Sequence, residues 1–230
     1  MNDSCVKIVV FDLGGVVVRI CRSWAEGCAA ARLAFRDEAL ASEEMKVRRR
    51  AMSARHGRGE IACEVYYREM AATTGGLYTP EEAERIHHAW TRDEYPGVYE
   101  LVGQIHEAGI ETGVLSNTNH AHWVRLAPAR ARGGERPEYR TPALIGHLHA
   151  SHIMGLLKPQ PEIYHAFARA TGLDGVSGSR GTPGEIVFFD DLAENVAAAN
   201  AAGWRAFQVD HTGDTAAQMT GQLRAMGVLK

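Results

Sequence analysis

Three short apolar runs each end in oxygen-bearing side chains: VKIVVFDL (6–13), IETGVLSNTN (110–119) and EIVFFDDLAEN (185–195). The first is continuous, rich in β-branched residues and brief, which predicts a strand buried on both faces, as in a parallel sheet. Between and after these runs the apolar spacing becomes helical. GVYELVGQIHEAG closes at Gly109, PEIYHAFARATG at Gly172 and LAENVAAANAAG at Gly203, each glycine serving as a stop signal. HLHASHIMG reads as a short strand with a turn, WRAFQVD as a further strand, and the tail from Thr215 as helix. Strands alternating with helices predict an α/β fold, a parallel sheet with right-handed crossovers.

The alternation is interrupted once. From Ser23 to Arg55 the composition turns to Ala, Glu, Arg and Met at helical spacing. Gly59 to Gly75 reads as another helix, and TPEEAERIHHAW (79–90) begins with a capping Thr79, a first-turn Pro80 and the dipole-complementing Glu81 and Glu82. The expected organisation is a core of residues 1–18 and 96–230 with a helical insertion at 19–95. Two stretches, 127–142 and 174–184, read as loops.

Composition excludes several classes. A chain of 230 residues with 45% hydrophobic and 23% charged residues can bury a full α/β core. A formal charge of −3 gives no electrostatic case for nucleic acid or membrane partners. Cys5, Cys21, Cys28 and Cys63 show no C-x-x-C spacing, so reduced thiols in a cytoplasmic protein are expected. Lys7 and Asp12 break the N-terminal apolar run, which argues against a signal peptide, and no stretch reaches the ~18 apolar residues of a membrane span.

The polar residues gather where predicted strands end: Asp12, Ser116 with Asn117, and Asp190 with Asp191. Ligands of open α/β sheets bind just beyond the carboxyl ends of the strands. Lys158 adds a cation near that edge. Carboxylates, a lysine, a hydroxyl and backbone N–H groups suit a phosphoester held on a divalent ion, and hard oxygen donors favour Mg²⁺.

FDLGGVVV, VLSNTN, LLKPQPEIY and VFFDDLAENVAAANAAG, in this order, resemble the four motifs of the haloacid dehalogenase-like hydrolases. The D-L-G, S-N-T-N and F-F-D-D strings are similar to the bacterial alpha-D-glucose-1-phosphate phosphatase branch. The resemblance implies a Rossmann-like three-layer core with a small helical cap of the C1 type, and Mg²⁺-dependent hydrolysis of a small phosphorylated metabolite such as glucose 1-phosphate. By position, Asp12 would be the nucleophile, forming an aspartyl-phosphate. Leu13, Gly14 and Asn117 would offer backbone N–H groups to the phosphoryl oxygens, Ser116 its hydroxyl, and Lys158 its charge. Asp12, the Gly14 carbonyl and Asp191 would hold Mg²⁺, Asp190 would act through a water, and Asn195 would orient the aspartates.

One position departs from the superfamily's usual pattern. Most members carry a second aspartate two residues after the nucleophile, as acid and base; here that position is Gly14. General acid–base help is worth ~10²–10⁴ in rate, about 3 to 5 kcal/mol. The glucose-1-phosphatase branch shares the glycine, which favours a live phosphatase. The alternatives are a metal-independent 2-haloacid dehalogenase, a noncatalytic phosphate-binding relative, and a phosphomutase. His120 and His122 stand closest in sequence to supply a proton. His147, His149 and His152 are spaced closely but lack a supporting acid or cysteine, and His87 and His88 are expected to be exposed on the inserted helices. The arginines of 127–142 read as a solvated loop.

Overall fold

The computed structural model describes residues 6–36, 43–127 and 138–230. Five strands form one parallel sheet: β1 (Ile8–Phe11), β4 (Glu111–Ser116), β5 (His147–Ala150), β6 (Ile186–Asp190) and β7 (Arg205–Gln208), in the order β5-β4-β1-β6-β7. β1 is central, and the order reverses on either side of it. Its neighbours pair in register, Ile8 with Glu111 and Ile186, Phe11 with Val114 and Phe189.

The period-two geometry of a strand explains why β1 is apolar throughout. Val9 and Phe11 pack with Leu101, Val102, Ile105, Met219 and Leu223 on one face. Those residues come from α5 (Val98–Glu107) and α11 (Thr215–Ala225). Ile8 and Val10 pack with Ile163, Tyr164, Phe167 and Trp204 on the other. That layer is built by α9 (Pro161–Ala170) and α10 (Ala193–Ala201). The result is a three-layer, Rossmann-like α/β core.

The insertion is helical: α1 (Trp24–Ala30), α2 (Glu43–Gly57), α3 (Cys63–Ala72) and α4 (Pro80–His88). It has small cores of its own, one around Met52, Tyr67, Met70 and Ala83, another around Cys28, Tyr78 and Ile86. α4 starts as the sequence indicates: the Thr79 hydroxyl accepts from Glu82 N and the Glu82 carboxylate from Thr79 N, a reciprocal capping box. The insertion joins the core through an antiparallel ribbon of β2 (Val18–Ile20) and β3 (Thr91–Glu94), so residues 19–20 and 91–94 of the stretch expected to be helical insertion are strand instead.

Three further helices modify the expected layout. Arg140–Leu144 forms the short helix α7, at the end of a stretch read as loop to residue 142; residues 128–137, with most of its arginines, lie outside the described residues. On the flanks, Arg125 binds Glu138 and the Arg140 guanidinium lies 4.1 Å over the Tyr99 ring. His120–Leu126 (α6) and Ser151–Met154 (α8) follow β4 and β5 directly. No helix among the described residues is long and apolar enough to cross a membrane, and Cys21, Cys28 and Cys63 are free thiols.

Candidate active site

Strand ends place the carboxylates. Asp12 follows the last residue of β1, Asp190 ends β6, and the two strands are paired neighbours, so their termini meet. Asp12, Asp190 and Asp191 each present an oxygen within 4.8 Å of the others, and all three are buried. Like charges this close need cations. Lys158 Nζ lies 3.1 Å from Asp12 Oδ1 and 2.6 Å from Asp190 Oδ2, with its side chain fully shielded from solvent.

Each carboxylate has a different set of partners. Asp190 is occupied: it also accepts from Leu192 N (2.9 Å) and from Asn195 Nδ2 (3.0 and 3.1 Å). Asp12 Oδ1 accepts from Leu13 N at 2.7 Å, so that N–H is turned to the carboxylate in this state. Burial raises the Asp12 carboxyl from 3.8 to about 6; Lys158 opposes the shift, Asp190 and Asp191 add to it, and the Ser116 hydroxyl lowers it. The surrounding carboxylates also hold the Lys158 ammonium above its ordinary value despite the desolvation that works against it.

The loop carrying Lys158 is pinned by the residue after β4. Asn117 Nδ2 donates to the Lys158 carbonyl (2.8 Å) and Asn117 Oδ1 accepts from Lys158 N (2.9 Å). The side chain of Asn117 therefore positions the lysine, a role the sequence reading did not assign to it.

The sequence reading also missed Arg22. Its Nη1 lies 2.7 Å from Asp191 Oδ2, bringing a cation from the end of the β2 ribbon across to the strand-end acids. Gly15 makes room for this pair. A β-carbon there would lie 2.3 Å from Arg22 Nη2 and 2.5 Å from Asp191 Oδ2, and the residue has φ 83°, a region that favours glycine. An isolated arginine after a strand carries no sequence signature, so only the fold could identify it.

Gly14 differs from Gly15. It has no left-handed φ, and the nearest atom to a β-carbon on it would be Ile20 Cδ1, at 3.1 Å. An apolar side chain from β2 thus fills the direction in which an acid at 14 would point.

Above the acids lies a cavity of about 670 Å³ between the core and the insertion. Its floor includes Leu13, Gly14 and Ser116 to Asn119, and its roof Trp24, Tyr66, Met70 and Ile86 with residues of α2. Ser151 ties roof to floor: its hydroxyl reaches the Gly57 carbonyl (2.6 Å) and the Thr118 carbonyl (2.9 Å) and accepts from Thr118 N (2.9 Å).

The histidines take structural places. His87, expected on the surface, is buried, because it stacks on His122 at 4.0 Å where α4 meets α6; His88 is exposed. His122 Nε2 lies 2.7 Å from the His87 carbonyl, so that nitrogen is the donor, and Nδ1 accepts from Asn119 Nδ2 at 3.2 Å. Burial holds His122 down at about 4. Its one proton is committed to a carbonyl, which removes it as the missing acid. His120 is exposed, 6.3 Å from the His152 ring. His147 pairs with Glu111 at 2.8 Å and His149 packs edge-on to Phe167, so the three histidines of HLHASH go to different neighbours.

Comparison with known proteins agrees with this fold. The protein shares 27% identity over 154 residues with Phosphatase MT3486 of Mycobacterium tuberculosis (strain CDC 1551 / Oshkosh), covering 67% of this chain and 64% of that protein. The structure of the HAD family enzyme bt-2542 of Bacteroides thetaiotaomicron, in complex with magnesium and inorganic phosphate, has the same fold. The TM-score is 0.68 at 20% identity, covering 91% of this chain and 96% of that one. A dehalogenase with an intermediate complex is also similar, at TM-score 0.62 and 16% identity over 93% of this chain and 88% of that one. The sequence pattern of the haloacid dehalogenase-like hydrolases matches residues 6–203, and the chain belongs to that family.

Proposed function

We propose that the protein is a Mg²⁺-dependent phosphatase of small phosphorylated molecules, with Asp12 as nucleophile and the helical insertion as the cap over its substrate. The observation that carries this reading is the convergence of Asp12, Asp190 and Asp191 around the buried Lys158. Three hard oxygen donors in one buried cluster fit Mg²⁺, with Asp12, Asp191 and the Gly14 carbonyl as ligands and Asp190 acting through a water. A bound Mg²⁺ supplies charge that offsets phosphoryl–carboxylate repulsion. The protein's own groups do the rest. Asp12 attacks phosphorus, Ser116, Lys158 and the Leu13, Gly14 and Asn117 N–H groups bind the phosphoryl oxygens, and Asn195 and Asn117 hold Asp190 and Lys158 in place.

Because position 14 offers no acid, the leaving oxygen departs without a proton from that residue. Esters of acidic hydroxyls are therefore favoured. The anomeric oxygen of a sugar is more acidic than an ordinary alcohol, which puts sugar 1-phosphates such as glucose 1-phosphate ahead of 6-phosphates.

A phosphate-release screen over phosphomonoesters, with Mg²⁺ or with EDTA, tests the reading. Release should require the metal, fall to background in Asp12→Asn, and need more Mg²⁺ in Asp191→Asn. Full turnover in EDTA, or halide release from a 2-haloacid without metal, would overturn it in favour of the dehalogenase alternative. Asp190 would hold Lys158 in metal-free chemistry too, but Asp191 adds a third carboxylate to the buried cluster beside Asp12, a donor set that suits a divalent ion, and for that reason the phosphatase reading is preferred.

A further inference from the structure

We propose that the cavity is built for phosphate esters of flat aromatic alcohols, aryl phosphates of one or two rings, ahead of sugar phosphates. The inference deepens the phosphatase reading and rests on it for the placement of the phosphate.

The first observation is the character of the wall. Trp24, Met70, Ile86, Trp90, Leu126 and Leu157 all face the cavity. Its ring-bearing polar residues are arranged as slabs, with His56 stacked on Tyr66 at 4.1 Å and His87 on His122 at 4.0 Å. Burial keeps His56 and His122 neutral in the physiological range, both held down at about 4.

The second observation is that the ring nitrogens and the Asn117 amide of the wall are already spent on the protein; the other polar lining comes largely from α2, where Lys46 pairs with Glu43, Arg49 reaches the Thr73 carbonyl, and Arg50 and Ser53 also border the cavity. Both ring nitrogens of His122 are bonded, to the His87 carbonyl and to Asn119. His56 Nε2 lies 3.3 Å from Cys63 Sγ, and His87 Nδ1 lies 3.3 Å from the Tyr67 hydroxyl. Asn117 is committed to the Lys158 backbone. In contrast, Thr118 Oγ1 is buried in the wall and has no hydrogen-bond partner among the described residues. A hexose brings a ring of hydroxyls, each needing a hydrogen-bond partner once desolvated.

The third observation is independent of the wall. Ile20 occupies the space beside Gly14 where a proton donor would stand. As the Asp12 oxygen forms its bond to phosphorus, the ester P–O bond breaks and the leaving oxygen takes the electron pair. A phenolic oxygen, with a pKa near 10 (about that of tyrosine), carries that charge without a protein acid. Wall and leaving group therefore point to one class. The volume also suits it, since pockets of roughly 300–1,000 Å³ enclose ligands of that size.

Binding of non-hydrolysable phosphonates separates wall from leaving group. Dissociation constants of benzylphosphonate, naphthylmethylphosphonate and the methylene phosphonate analogue of glucose 1-phosphate are measured by calorimetry on the full chain with Mg²⁺. The second ring should tighten binding about tenfold, from the added apolar area, and both aryl ligands should bind more tightly than the sugar analogue. Ala54→Trp, which fills the cavity from α2, should erase the gain from the second ring. Equal affinities for one and two rings, tighter binding of the sugar analogue, or no binding of either aryl phosphonate would each overturn the inference. Phosphate release from naphthyl phosphate is measured in parallel. Aryl-selective binding without any release would sink the phosphatase reading and leave this inference about the cavity standing.

Discussion

Restoring a carboxylic acid at position 14 tests the account of the missing proton donor. The backbone allows it, because Gly14, unlike Gly15, has no left-handed φ. The new β-carbon would have Ile20 Cδ1 at 3.1 Å, Cγ2 at 3.5 Å and Cγ1 at 3.8 Å as its three nearest atoms outside its chain neighbours. Relieving such a contact by forcing Ile20 off its rotamer costs ~0.5–1.5 kcal/mol, and the carboxyl would still share space with the isoleucine. Gly14→Asp alone is therefore expected to gain little. Adding Ile20→Ala clears the space, and the apolar surroundings should raise the new carboxyl's pKa toward that of a useful acid. General acid help of ~10²–10⁴ is available only where the leaving oxygen needs a proton. The assay is kcat/KM across a series of phosphomonoesters from nitrophenyl to simple alkyl. The wild type should fall steeply as leaving-group pKa rises. The double variant should gain about 10²-fold on alkyl esters, hardly change on nitrophenyl phosphate, and so flatten the series. A flat series in the wild type, with chemistry shown to be rate-limiting, would refute the reasoning, because another group would then be supplying the proton. A uniform gain across the series would refute it too.

Further expectations concern the buried charges and the tie between roof and floor. In EDTA, the raised carboxyl of Asp12 keeps a proton in the folded state that the unfolded chain releases. Its stabilising contribution is thus present below about pH 4 and lost as pH rises through about 6, by about 3 kcal/mol at ~1.36 kcal/mol per pH unit. Asp12→Asn should therefore raise the urea midpoint of the metal-free protein at pH 8 and leave it nearly unchanged at pH 4; equal shifts at both would contradict the burial of that charge. Lys158→Met strands the carboxylates 3.1 and 2.6 Å from its ammonium and should cost about 3–5 kcal/mol at pH 8. The deficit should shrink on acidification as those carboxylates take up protons, and a loss under ~1 kcal/mol at pH 8 would count against the pairing. Ser151→Ala leaves the buried Thr118 N–H without its acceptor and should cost about 1–3 kcal/mol by urea unfolding while raising KM more than it lowers kcat. An unchanged KM would argue that the hydroxyl does not hold the insertion over the cavity.

The alternation of apolar runs and amphipathic helices was enough to specify the parallel core, because a strand buried on both faces must be apolar at every position and a helix on one stripe only. The strand-end acids and the lysine were legible for a related reason: carboxylates at the tips of three-layer sheets have few structural uses. The start of α4 could be read residue by residue, since caps are local. What the sequence could not give depends on contacts between distant segments. His87 looks like any polar residue of an amphipathic helix until α6 is laid against it. Arg22 and Asp191 stand 169 positions apart and meet only because the β2 ribbon folds back across the sheet edge. Asn117 was read for its backbone, but its side chain turned out to hold the Lys158 loop. The same holds for substrate choice. On the proposed function, motifs at the strand ends would report the chemistry of the phosphate, whereas the wall of the cavity that would meet its ester is assembled from the insertion, α6 and the segment before Lys158. Its character is settled by which polar atoms the protein has already satisfied, and that bookkeeping exists only in the folded chain.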